Sequence, residues 1–194
     1  MFTSRAVWLT GTDRMTTRHT AVYVVGDHVV YQGVSMGASG WDYRVPFAGG
    51  LRKSFAAVQE QELADDGYLW PWETFAPSLV DYEAPARPTS MAELDVAKQM
   101  EAFWDAGTHS ILDLDRMIAG DGDEVGAIRP LTSAELDQVF GTQQPSAADF
   151  DRVHVNGPSG PLGDLAGQRW TGRCMVIYKD GIPDEMYFWG FSGD

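Results

Sequence analysis

The chain has 194 residues, 44% of them apolar and 12% aromatic, with one cysteine and a net charge of −14 at pH 7. That apolar content excludes a disordered chain, the lone Cys174 excludes an internal disulfide, and the acidity argues against nucleic acid, whose phosphates need Lys and Arg to displace counterions. No run approaches the ~20 apolar residues of a membrane span, and residues 1–9 turn polar too soon for a secretory signal, so the expectation is one cytoplasmic domain.

Charge is unevenly placed. Residues 1–50 carry four basic and three acidic side chains, whereas residues 51–150 carry six and nineteen. Skew of this kind speaks to partners rather than to fold.

The first fifty residues read as β-structure. A short strand is expected at 6–9. A hairpin follows at 21–25 and 28–32, turning at Gly26-Asp27, where glycine takes the positive φ of a two-residue turn. Residues 33–41 hold Gly33, Gly37 and Gly40 before Trp41 and read as a loop. Their spacing fits neither a dinucleotide fingerprint nor a phosphate loop closed by Lys-Ser/Thr.

Residues 51–65 predict a helix, from Leu51, Phe55, Val58 and Leu63 on one stripe, with Gly67 as the stop. Trp70-Pro71-Trp72 opens a stretch punctuated by Pro77, Pro85 and Pro88; segment 76–89 is the candidate subdomain boundary. Helix starts follow at Ser90-Met91-Ala92-Glu93 and Thr132-Ser133-Ala134-Glu135, both in capping-box spacing. Ile111, Leu114 and Ile118 suggest a further short helix, and residues 156–168 read as a loop. A second hairpin is expected from 175–178 and 185–189. The expected fold is therefore α+β: an antiparallel sheet with strands from both chain ends and a mid-chain helical segment.

No catalytic motif emerges. The four histidines lie in no metal spacing, and no Gly-x-Ser-x-Gly elbow is present. The acids Asp121, Asp123 and Glu124 tempt a calcium reading, but Val125 stands at the fifth position, where an EF-hand loop needs an oxygen ligand, and Thr132 at the twelfth, where it needs a glutamate. Cys174 lies in an apolar run and reads as a buried, inert thiol. No catalytic residue, metal or cofactor is assigned.

What the composition favours is a protein that binds, and inhibits or neutralises, a basic protein partner such as a toxin. Bacterial immunity proteins resemble this chain in size and charge. The expected contact residues are Gly37, Ser39, Gly40 and Trp41 of the Gly-rich stretch, Trp70 and Trp72, and the acidic turn with Asp121, Asp123 and Glu124. The alternative is a small enzyme or ligand-binding protein with a Trp-lined pocket served by His28 or His154, so a small-molecule ligand stays open.

Overall fold

The computed structural model describes residues 7–13, 16–25, 28–35, 38–74, 84–154 and 160–193. Eight strands form one sheet in the order β1-β2-β3-β4-β8-β7-β6-β5. β1 (Val7–Asp13), β2 (Thr16–Val25), β3 (His28–Ser35) and β4 (Ala38–Pro46) run as successive antiparallel neighbours. The Gly26-Asp27 turn and Gly37 lie outside the described residues.

Two expectations are corrected here. The sheet is mixed, not antiparallel throughout: β7 (Thr171–Lys179) and β8 (Ile182–Phe191) pair antiparallel, but β5 (Arg116–Met117), β6 (Ala127–Pro130) and β7 pair parallel. Parallel neighbours need a crossover, and the segment between β6 and β7 holds α5 (Ser133–Phe140) and α6 (Ala147–Val153). The described residues of the Gly-rich stretch are also strand and not loop: Gly33, Val34 and Ser35 belong to β3. Ser39, Gly40 and Trp41 belong to β4, and Gly40 and Trp41 pair with Phe191 and Gly190 of β8.

Side-chain alternation explains why the central strands divide the molecule. Trp41, Tyr43 and Val45 of β4, Phe188 and Met186 of β8, Cys174 of β7 and Ile128 of β6 share one face. This face packs against Phe55 and Val58 of α1 (Leu51–Asp65) and against Ile111 and Leu114, forming an apolar core. The other face carries Asp42, Arg44, Arg129, Arg173, Tyr187 and Trp189, together with Met175 and Ile177. It lies under Phe140 of α5 and Phe150 of α6.

Local signals account for the helices. Helix α1 spans the expected residues but ends on Asp66 in the left-handed region, one residue before the expected Gly67. Thr132 and Glu135 close a full capping box on α5. At α3 (Met91–Ala97) the Ser90 hydroxyl accepts from the Glu93 amide, but the Glu93 carboxylate accepts from the Thr89 amide and hydroxyl instead of completing the box. The box that starts α6 uses Ser146 with Asp149, a shorter acid in the same role. Around Ile111 the chain makes a single 3₁₀ turn, Ile111–Asp113, and enters β5 where a helix was expected.

α2 (Pro71–Thr74), α3 and α4 (Glu101–Ala106) bury a separate aromatic cluster of Tyr68, Trp70, Trp72 and Phe103. Residues 75–83 of the proline-rich segment lie outside the described residues. The helical cluster is joined to the sheet by Asp113, which is fully buried. It accepts from the Thr108 amide and hydroxyl and from the Ser192 hydroxyl just beyond β8.

Trp41 needs room, and glycine provides it. A Cβ on Gly190 would stand 2.5 Å from both the Thr171 carbonyl oxygen and the Trp41 ring. Backbone cannot yield as a side-chain tip can, so Gly190→Ala should cost about 3 kcal/mol, the upper end for overpacking. Urea unfolding of the two proteins checks this; equal midpoints would contradict the packing described.

Candidate partner-binding surface

The expected contact residues do not form one surface. Trp41, Trp70 and Trp72 are 5%, 2% and 3% exposed, and each belongs to a core cluster. Their apolar bulk fills the interior and presents no indole face outward. Ser39 is buried as well. Trp41 points to the apolar face of the sheet, whereas Asp123 engages arginines on the opposite face. Of the acidic turn, Glu124 pairs with Arg116 at 2.7 Å, and Asp121 is exposed.

The outward-facing feature is carboxylate. Within residues 60–128, Arg87 lies against Asp66 and Glu73, Lys98 against Asp115, and Arg116 against Glu124. Glu60, Asp95, Glu101, Asp105 and Asp121 are exposed and stand in no ion pair among the described residues. Glu101 and Asp105 are four apart on α4, where like charges repel.

Several charges also sit against the helix dipole. α1 has Arg52 and Lys53 in its first turn and Asp65 at its end, and α4 and α5 carry Asp105 and Asp137 in their last turns with no basic residue there. A carboxylate at a helix C-terminus costs a few tenths of a kcal/mol to ~1 kcal/mol. These acids are not placed for the stability of their own helices.

Two polar clusters lie on the charged face of the sheet. The first is ionic. Arg129 and Arg173 occupy facing positions on β6 and β7, with side chains 6% and 3% exposed. Glu135 takes Arg129 through two bonds of 2.8 and 2.7 Å, and Asp123 reaches Arg173 at 2.6 Å. Hydrogen bonds from Arg129, opposed by burial and reinforced by the capping amide of Thr132, hold the Glu135 carboxyl down to about 2. Cys174 is buried on the other face, and desolvation pushes its thiol up to about 12 despite both arginines, so it is no nucleophile at neutral pH.

The second cluster was not legible from spacing. Tyr187 donates to Asp42 at 3.0 Å, and His154, at the end of α6, stands 2.7 Å from the same hydroxyl. The imidazole stacks on Phe150 at 4.8 Å. Burial first, and then the Asp42 charge, push the Tyr187 phenol far above its ordinary value, so it remains a donor. With the Tyr187 proton directed to Asp42, the short His154 contact calls for Nε2–H as donor to the Tyr187 oxygen. The sequence carried no signal for it: Asp42 is an ordinary polar position in the alternating run Trp41–Val45, and Tyr187 lies inside the apolar run Met186–Trp189.

A surface cavity of about 390 Å³ lies at the start of α1, between Gly49–Lys53 and Met117, Ile118 and Pro130; no tryptophan lines it. Among the described residues no group of three His, Cys, Asp or Glu side chains could hold a metal ion. No helix among them is long and apolar enough to cross a membrane.

No protein-family model, curated protein or solved structure matches the chain. The functional reading therefore rests on its own residues.

Glu135 carries a pH consequence. Its folded-state pKa lies below the unfolded value, so its contribution is present above about pH 4.5 and lost as pH falls through about 2. Glu135→Gln should lower stability at pH 7 and flatten the loss of stability between those values, as read by urea unfolding across pH. An unchanged acid slope would contradict the Arg129–Glu135 fork.

Proposed function

We propose that this protein is an acidic, cytoplasmic protein-binding module that inhibits or neutralises a basic partner, such as a toxic enzyme, in the manner of an immunity protein. The observation that carries the reading is the set of exposed carboxylates that stand in no ion pair among the described residues, Glu60, Asp95, Glu101, Asp105 and Asp121. Cationic side chains of a partner would relieve the Glu101–Asp105 repulsion and complement the acids at helix C-termini. An acidic surface also steers a basic protein into encounter and can cover a site built for an anionic substrate.

The tagged full chain, used to capture partners from its source cell, tests this by mass spectrometry. One stoichiometric basic protein should be held at about 50 mM salt and released at about 500 mM, where the screening length falls from ~14 to ~4 Å. The triple variant Asp95→Lys, Glu101→Lys, Asp105→Lys alters only exposed positions. It should bind that partner at least tenfold more weakly while keeping the wild-type circular dichroism spectrum. A partner held equally at both salts, and equally by the variant, would remove the electrostatic basis of the reading.

A second reading, a small enzyme or ligand-binding protein, is favoured by one observation: the imidazole of His154 is 27% exposed beside buried Tyr187. A ligand that quenches tryptophan fluorescence in the wild type but not in His154→Ala would select it.

A further inference from the structure

The Arg129–Arg173 pair has more anion-binding capacity than the chain's own acids use. Two guanidiniums on facing positions of neighbouring strands repel unless an anion lies between them, and here Asp123 Oδ1 does so. It stands 2.6 Å from Arg173 Nη2 but 3.4 Å from Arg129 Nε. In arginine, Nε–H and one terminal N–H point the same way and together take an oxyanion side-on in two parallel bonds. The Arg173 edge facing Asp123 is used at Nη2 alone. Its Nε is buried and has no hydrogen-bond partner. Arg129, with its terminal nitrogens on Glu135, offers Nε to the same point.

The group that fills this position comes from a turn with few anchors. Asp123 lies between β5 and β6, in a run with Gly120, Gly122 and Gly126. A Cβ built on Gly120 or Gly122 would meet nothing within 4 Å, so this part of the turn stands clear of the fold. The Asp123 side chain is 30% exposed, whereas the guanidiniums beneath it are nearly closed off. On the far side, Gly167, with φ +84°, brings its backbone so close that a Cβ would lie within 2.9 Å of Arg173 Nη2 and Asp123 Oδ2. The position that Asp123 occupies is thus bounded by the Gly167 backbone and the two strands, and the carboxylate itself covers it from outside.

We infer that Arg129 and Arg173 form an oxyanion-binding site that Asp123 fills in the free protein, and that inorganic phosphate or a phosphate monoester is the class of ligand that replaces it. A tetrahedral group has the oxygens to engage Arg173 Nε and Nη2 together and still reach Arg129 Nε, which the single bridging oxygen of Asp123 does not. Replacement frees the turn that carries Asp121 and Asp123. The inference stands independently of the proposed basic partner.

The test is a phosphate titration of the ¹⁵N-labelled full chain, followed by NMR against sodium chloride at equal ionic strength. In the wild type, shifts should gather at the Gly122, Asp123 and Gly167 amides and the Arg173 Nε–H. Asp123→Asn should bind phosphate at least tenfold more tightly. Arg173→Lys, which keeps the charge but lacks the fork, should lose the response. If Asp123→Asn is unfolded in chloride, phosphate should restore its folded spectrum. Wild-type shifts confined to the exposed Arg52 and Lys53, no gain in Asp123→Asn, or no restoration would each overturn the site. A response to acetate equal to that with phosphate would overturn the ligand class.

Discussion

Two arginines on adjacent strands inside a protein demand two carboxylates, and much of this architecture answers that demand. Arg129 and Arg173 face each other across the parallel β6–β7 pair. Glu135 neutralises the first and in the same act caps α5 by accepting from the Thr132 amide. Asp123 neutralises the second and so holds down the turn between β5 and β6. Removing one partner of such a buried cluster typically costs ~3–5 kcal/mol, because the remaining charge is stranded. One electrostatic requirement therefore places a helix start, a turn and a strand pairing together.

The sheet makes this possible by separating chemistries. Its α1 side is closed with Trp41, Phe188, Cys174 and Ile128, where tight backbone approach at Gly190 and Gly172 admits the indole. Its other side runs Arg129, Arg173, Trp189 and Asp42 along a single row from β6 to β4. Polar groups at both ends of that row find partners: the ionic cluster at one end, Tyr187 and His154 at the other. Buried polar groups are tolerated when bonded and costly when not. Among the described residues of this face, Arg173 Nε is buried without a partner, and it lies where a ligand could use it.

The outer surface follows a different logic. Acids at the C-terminal turns of α1, α4 and α5, and the Glu101–Asp105 pair, all work slightly against their own helices. Each penalty is small beside the core burial that holds those helices in place. The fold can therefore carry a surface whose charges answer to something outside the molecule.

Local chemistry was legible in the sequence wherever a short-range rule applies. The span of α1 follows from its apolar stripe, the start of α5 from Thr132 and Glu135, and the terminal hairpin from β-rich arms at 175–178 and 185–189, although both strands extend further into the expected turn at 179–184. The inertness of Cys174 follows from its apolar neighbours. Composition alone also located the excess acid. Tertiary structure decided what depends on partners distant in sequence. Residues 33–41 read as a loop in sequence, until β8 supplies the pairing that places Gly40 and Trp41 in a strand. Trp70 and Trp72 suit an interface or a core equally, until α3 and α4 close over them. Arg173 and Asp123 are fifty residues apart and Asp42 and Tyr187 are 145 apart, and only the folded sheet, with the turn packed on it, brings each pair together. Periodicity and capping act within a few residues, whereas a buried charge is matched in space, and that matching exists only once the sheet has formed.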